Sequence, residues 1–304
     1  MPPLRFSIII TSHNQRGFIK DAVDSALSQR NAEFEVIVVD DGSTDGSQDV
    51  LRRYGNAIRL VCHETNQGVG AARNLGASLA TGDYLLFHDG DDLFLPWTLD
   101  VFERVIVARE PKLILGGFWW FEGTPPILQP GDTPDEIRLF EYQDYLRRDR
   151  PFGKAICKVV DRQAFEGTQG FPTDYPTLED VDLLIRLSTC GRTILIQEPL
   201  TIFYRRHVEN NLKRKYLAPM ILAVRMMIGN ERSGNYPGGK RRSFERKAFI
   251  GGMVLFWATD AAKFGLYWEA IKLLAHARTM VFAAVIQRVG AILKGRQACE
   301  TLQM

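Results

Sequence analysis

The chain has 304 residues, 45% of them hydrophobic and 24% charged, with a net charge of +2; these are the proportions of a soluble globular protein, long enough for one large domain or two smaller ones. Its four cysteines (Cys62, Cys157, Cys190, Cys299) are scattered and make no CxxC pair, which argues against a zinc knuckle or a disulfide framework and fits a reducing compartment. The apolar run in MPPLRFSIIITSHN is too short for a secretory signal, and the stretches at 251–259 and 279–293 are bounded or broken by Asp260, Gln287 and Arg288, short of the roughly 20 apolar residues of a spanning helix, so a cytoplasmic protein without a transmembrane segment is expected.

The first third alternates strand and helix signals. FSIIIT (6–11) is a β-branched apolar run suited to a strand buried on both faces. Phe18, Ile19, Ala22, Val23, Ala26 and Leu27 fall at helical spacing. FEVIVVDD (34–41) predicts a second buried strand, and Ser43 or Thr44 would cap a helix around Gln48 to Tyr54. IRLVCH (58–63) predicts a third strand, Ala71 to Leu79 a helix entered through Gly68 and Gly70, and DYLLFHD a fourth strand. Such repetition implies a mostly parallel sheet with helices on both faces.

The middle is less regular. LILGGFWWFEG (113–123) reads as an aromatic strand, prolines 125, 126, 130 and 134 mark a loop, and Asp135 to Arg148 reads as a helix. KAICKVVDRQAF (154–165) predicts a strand and a helix start, PTLEDVDLLIRLSTCG (176–191) a helix, and TILIQEPLTIFYRRH (193–207) an extended stretch. Residues 208–304 are helical by pattern, with NERSGNYPGGKRR (230–242) as a flexible linker. From Arg205 to Met304, Lys and Arg outnumber Asp and Glu 18 to 6, while the preceding residues are net acidic. A basic tail suits an anionic partner such as a phospholipid surface, or is a solvated helical face.

Three carboxylates, Asp89, Asp91 and Asp92, follow the fourth strand, and Asp40 and Asp41 end the second. Open α/β sheets bind ligands beyond the carboxyl ends of their strands. Two acidic clusters on one rim repel unless a cation or a donor-rich ligand neutralises them.

With SIIITSHNQRGFIKDAVDSALSQ, FEVIVVDDGSTDGS, NQGVGAARNLGASLATGDYLLFHDGDD, the Glu179-Asp180 pair in LEDVDLLIRL, and YRRH ending at His207, the chain resembles the family 2 glycosyltransferases. The resemblance covers about two thirds of the chain and leaves out the C-terminal hundred residues. It implies a GT-A nucleotide-sugar-binding fold, with residues 1–110 as the nucleotide-sugar half, 111–207 as the acceptor half and 208–304 as a basic helical extension. It also implies inverting transfer of a sugar from a nucleotide-diphosphate donor to a glycan, glycolipid or protein acceptor, with Mn²⁺ or Mg²⁺ as cofactor and no nucleic-acid partner.

Residue by residue, Asp89-Gly90-Asp91 is similar to the family's DxD. It implies Asp91 as the direct metal ligand and Asp89 near the ribose or a metal-bound water. Asp92 is the alternative ligand, or else the cap of a helix starting near Pro96. Gly90 would let the backbone approach the phosphates. His207 would complete the metal site, and Arg205 and Arg206 would otherwise hold diphosphate oxygens. Thr11, His13, Asp41 and Arg73 would line the nucleotide, His13 standing where the family often has an aromatic residue. Asp180 resembles the catalytic carboxylate, facing inward with Leu183, Leu184 and Leu187, unless Thr177 is an N-cap and Asp180 part of a capping box. Asp182 and Arg186 would pair on the outside. Glu179 and Trp119, or Trp120 on the alternate face, would meet the acceptor, and Trp97 is core or site. A nucleotidyltransferase and a non-catalytic nucleotide-sugar-binding module are the competing readings. TSHNQRGF lacks the Gly-rich phosphate loop that the first needs, and the presence of Asp91 and Asp180 speaks against the second.

Overall fold

In the computed structural model, residues 4–30, 32–128, 134–147, 155–206, 213–263, 265–294 and 299–303 are described. The first third runs β1 (Arg5–Ser12), α1 (Ile19–Leu27), β2 (Glu33–Asp40), α2 (Ser47–Arg52), β3 (Arg59–Cys62), α3 (Val69–Leu79), β4 (Tyr84–Asp89), β5 (Leu93–Phe94) and α4 (Thr98–Arg109). Then come β6 (Leu113–Phe121), β7 (Glu136–Tyr142), β8 (Ala155–Asp161), α5 (Arg162–Glu166), α6 (Glu179–Arg186) and β9 (Thr193–Arg205). Helices α7 (Lys213–Ser233), α8 (Ser243–Lys263), α9 (Tyr267–His276) and α10 (Arg278–Lys294) follow, and β10 (Glu300–Gln303) returns to the sheet.

All ten strands join one sheet, ordered β10-β7-β9-β6-β8-β4-β1-β2-β3 with β5 beside β9. From β3 to β4 the neighbours are parallel. Beyond β4 the sheet is mixed: β8 is antiparallel to β4 and β6, β6 and β9 are parallel, and β7 is antiparallel to β9 and β10. The expectation of a mostly parallel sheet therefore holds only for residues 5–89, where a helix separates every two strands and supplies the crossover that parallel pairing needs. β1 shows why the sheet is covered on both faces. Its Phe6, Ile8 and Ile10 pack with Val23 and Ala26 of α1 and Phe102 of α4, while Ile9 faces the opposite layer with Leu183 and Leu184 of α6.

Two elements differ from expectation. The described part of Asp135 to Arg148, up to Arg147, is not an α-helix; it contains β7 and a short 3-10 turn at Tyr145–Arg147. EIRLFEY places apolar residues at both strand and helix spacings, and pairing with β9 and β10 decides between them. The stretch 230–242 is packed, not a loose linker. Tyr236 is buried, and Arg246 of α8 pairs with Glu231 at 2.5 Å while donating to the carbonyls of Pro237 and Gly239. The C-terminal helices form a core of Ile221, Val224, Met227, Ile228, Ile250 and Val254 that also takes in Val181 and Ile185 of α6. Among the described residues no helix is long and apolar enough to cross a membrane.

Candidate active site

The carboxyl ends of the parallel strands meet at one rim, with Thr11 in register with Val39 and Asp89, and Ser12 with Asp40. β8 arrives from the opposite direction, Lys158 pairing with Phe87. Helix α3 is pressed onto β1: a Cβ on Gly76 would lie 2.4 Å from Ile9 Cγ2. That closeness, one turn after Arg73, holds the arginine over the rim.

Arg73 is nearly buried and joins two chain segments, donating to Glu179 Oε1 at 2.6 Å and Asp89 Oδ1 at 2.8 Å with its guanidinium over the Phe171 ring. Burial opposes the charge on Arg73, but Asp89, Glu179 and Asp180 outweigh it and raise its pKa. Burial would raise Asp89, yet Arg73, with Lys158 and His88, holds its carboxyl below the usual range. Asp89 keeps 41% of its side chain exposed, so it stays open to a ligand. For Glu179 the balance is reversed, burial and the neighbouring Asp180 raising its pKa against Arg73.

Asp180 lies in the first turn of α6 beside Lys158, Nζ to Oδ2 2.9 Å. Burial pushes its pKa up; Lys158 chiefly, then Arg73 and the Val181 amide, pull it below the ordinary aspartate value. No capping box forms. The N-cap is Leu178, in a left-handed conformation at φ 62°, and Thr177 does not cap. A left-handed conformation on a non-glycine residue costs about 1–3 kcal/mol and is typical of backbone over-determined by its surroundings. Here it sets the direction in which Glu179 and Asp180 leave the chain. Asp182 is not outside: it is fully buried and takes Arg186, Tyr175 and Tyr236 together.

Asp40 and Asp41 organise loops. Asp40 accepts from the Ser43 amide and Gln48 Nε2. Asp41 accepts from the amides of Gln67 and Gly68 and from His63 Nδ1. Both Asp41 oxygens are thus engaged and the residue is buried; it shapes the entrance to α3. His13 is exposed, with Nδ1 donating to the Asp41 carbonyl at 2.7 Å and Nε2 accepting from the Asn14 amide at 3.0 Å. Thr11 is buried, and its carbonyl accepts the Gly90 amide at 2.9 Å. Neither Ser43 nor Thr44 caps α2; Gly46 is its N-cap, and Asp45 accepts from Ser47 N.

Gly90 is small for a reason that the sequence does not show. A Cβ there would lie 2.5 Å from Gln15 Oε1 and 3.0 Å from the Thr11 carbonyl, so the glycine lets the acidic turn sit against the end of β1. Asp91 and Asp92 are both buried. Burial, with Asp91 and Asp89 adding to it, pushes the Asp92 carboxyl well above its usual range. Asp92 accepts from the Arg205 amide and caps no helix. Arg205 is an internal rivet and not a diphosphate ligand: it donates to the Asp91 and Gly123 carbonyls and to Asp21 and lies against Phe18 and Phe121. Arg206 stacks on Trp120. Next to this turn, burial lowers His88 to about 4, and its ring stacks on Phe94.

His207 lies outside the described residues. Among those described, no three His, Cys, Asp or Glu side chains gather to hold a metal ion. The acidic turn nevertheless offers only oxygen donors, which suits a hard cation that takes its remaining ligands from substrate phosphates and water instead of an all-protein cage. The residues present fit Mg²⁺ or Mn²⁺ in that manner.

Trp119 and Trp120 are both exposed, although alternation along a strand would hide one of them. Among the described residues, β6 pairs with β8 as far as Gly117 and with β9 through Phe121. Trp97 is structural, its indole donating to the Leu200 carbonyl. Lys158, Leu178 and Tyr236 are the residues of the site that sequence reasoning missed. The one available signal was a lysine inside the apolar strand AICKVVD.

The profile of Glycosyl transferase family 2 matches residues 7–168. An uncharacterized glycosyltransferase of Haemophilus influenzae is 30% identical over 201 residues, covering 64% of this chain and 66% of that protein, so that the chain spans just under two thirds of its relative. The structure of S. aureus TarS 1-349 in complex with UDP-GlcNAc is similar at a TM-score of 0.66 and 16% identity, over 95% of this chain and 89% of that one. The mannosyltransferase PcManGT of Pyrobaculum calidifontis, in complex with GDP-Man and Mn²⁺, is similar at a TM-score of 0.58 and 21% identity, over 96% of this chain and 82% of that one. These likenesses give the rim its architectural setting, a GT-A fold, and the profile match over more than half of the sequence shows that the chain belongs to glycosyl transferase family 2.

Proposed function

We propose that the rim transfers a glycosyl group from a nucleoside diphosphate sugar to a hydroxyl of a glycan, glycolipid or protein acceptor, with inversion and with Asp180 as general base. The observation that carries this is Asp180 held ionised by Lys158 at the head of α6, next to the Glu179–Arg73–Asp89 bridge. The acceptor oxygen bonds to the anomeric carbon as the carbon–oxygen bond to the diphosphate breaks, and the hydroxyl proton passes to Asp180. A carboxylate with a lowered pKa is a weak base, so it takes the proton late, when bond formation has made the hydroxyl acidic.

The donor would lie across the ends of β1, β2 and β4, against Thr11, His13, the loop shaped by Asp41, Arg73 and Asp89. Asp91, with His207, would hold Mn²⁺ or Mg²⁺; a bound cation offsets the charge of the departing diphosphate. Glu179 acts through Arg73, keeping the guanidinium over the rim. Trp119, 58% exposed, offers a stacking face to an acceptor sugar.

Calorimetric titration with a panel of nucleoside diphosphates, with and without Mn²⁺, tests the proposal. Metal-dependent binding of at least one is expected; binding of none overturns it. Slow hydrolysis of individual sugar nucleotides then identifies the donor.

A further inference from the structure

Helix α10 turns Met280, Ala283 and Ala284 inward, where they are buried. Its opposite face carries Phe282, Val285, Ile286 and Val289, each between 45% and 68% exposed. The spacing i, i+3, i+4, i+7 aligns these four side chains in one stripe. That is the pattern by which a helix addresses a core, and here it points away from one. Helix α9 repeats the arrangement, with Ala270 and Leu273 inward and Trp268, 75% exposed, and Ile271, 53% exposed, outward. Both helices already have a buried face, and among the described residues the outward apolar side chains stay about half exposed or more. Exposed apolar surface of this extent marks a place of attachment.

Charge selects what attaches. Helices α9 and α10 together carry Lys272, Arg278, Arg288 and Lys294 against one carboxylate, Glu269, which pairs with Lys272 at 3.0 Å. Lys272, Arg278 and Arg288 are exposed beside the apolar residues. A second copy of this chain would bring like charges together across the contact. An anionic bilayer complements both features, taking apolar side chains at the headgroup–acyl boundary and cations at the phosphates. An exposed tryptophan is also suited to that boundary.

We propose that the outward faces of α9 and α10 dock the protein on an anionic phospholipid surface. Trp268, Ile271, Phe282, Val285, Ile286 and Val289 enter the boundary region, and Arg278 and Arg288 lie against the headgroups. The docking surface goes beyond the general basicity of the tail, because it names an apolar stripe that charge alone does not require. It shares no residue with the catalytic rim, so it stands or falls apart from the transfer reaction.

The test is co-sedimentation of the full chain with vesicles of phosphatidylcholine alone or mixed with phosphatidylglycerol. Partition onto the mixed vesicles is expected to exceed that onto phosphatidylcholine by about tenfold or more, and to weaken at high salt. The double variant Phe282→Ser, Ile286→Ser and the single variant Trp268→Ser should each reduce partition, the double one by about tenfold. Their circular dichroism and melting midpoint should match the parent, because the side chains are exposed. Absence of partition by the parent chain overturns the proposal, as does undiminished partition by the double variant. Light scattering supplies the remaining outcome: an oligomer that the double variant dissociates, without vesicle binding by the parent, assigns the stripe to a second copy and overturns the lipid assignment.

Discussion

Lys158 Nζ stands 2.9 Å from Asp180 Oδ2, and the two residues reach each other from an inner strand and a helix head. The lysine answers the burial that would otherwise raise the Asp180 pKa. A folded-state pKa below the unfolded value contributes stability above the unfolded pKa, and that contribution is lost as pH falls through the folded one. The Asp180 contribution is therefore constant from pH 5 to 8 and disappears only in acid, below the ordinary aspartate pKa of about 3.9. The acid limb of kcat/KM assigned to this base is expected below that value. Lys158→Met should move the limb to higher pH, and Lys158→Arg should largely restore it. A limb that does not move in Lys158→Met would dissociate the lysine from the base. Asp180→Asn should abolish transfer while leaving donor binding intact, which titration of the same preparation checks.

Asp91→Ala is expected to weaken Mn²⁺-dependent binding of the donor diphosphate by about tenfold or more while leaving metal-independent binding nearly unchanged. Chelation of the parent protein should reproduce the variant. Equal losses with and without metal would place Asp91 in the packing of the turn instead.

Tyr236→Phe removes one of the donors to the buried Asp182 carboxylate and keeps the ring. Leaving a buried acceptor short of a partner costs about 1–3 kcal/mol. Chemical denaturation should show that loss. Because Asp182 lies two residues beyond Asp180 on α6, kcat should fall as well, with KM for the donor little affected.

Gly251→Ala and Gly252→Ala make a matched pair on α8. A Cβ at Gly251 would lie 1.9 Å from the Met280 carbonyl oxygen, a backbone atom of α10, whereas one at Gly252 meets nothing within 4 Å. The first variant should lose about 1–3 kcal/mol through overpacking, even after the better helix propensity of alanine. The second should gain about 0.5–1 kcal/mol. Melting midpoints moving in opposite directions would confirm the close approach of α8 and α10.

The parallel block was legible because buried β-branched runs alternate with helical spacing from Phe6 to Asp89, and because β1, β2 and β4 end in Ser12, Asp40 and Asp89 at the same rim. What escaped was set by partners distant in sequence. Asp41 looks like a free carboxylate until the amides of Gln67 and Gly68 are brought to it. Lys158 and Asp180 are apart in sequence and meet only once β8 lies beside β4. Asp182 and Arg186 at i, i+4 read as a surface pair; Tyr175 and Tyr236 bury the aspartate from other segments. For β7, local spacing was ambiguous, and strands on either side settled it.

The helix that carries Asp180 turns Val181 and Ile185 into the same apolar cluster as Ile221, Val224 and Met253. A fragment ending after β9 would leave that cluster half built and strip Asp182 of the Tyr236 hydroxyl. The sheet and the helical tail are thus not interchangeable parts that shuffling could recombine at will: whatever replaces the tail must offer α6 an equivalent seat, or Asp180 loses its footing.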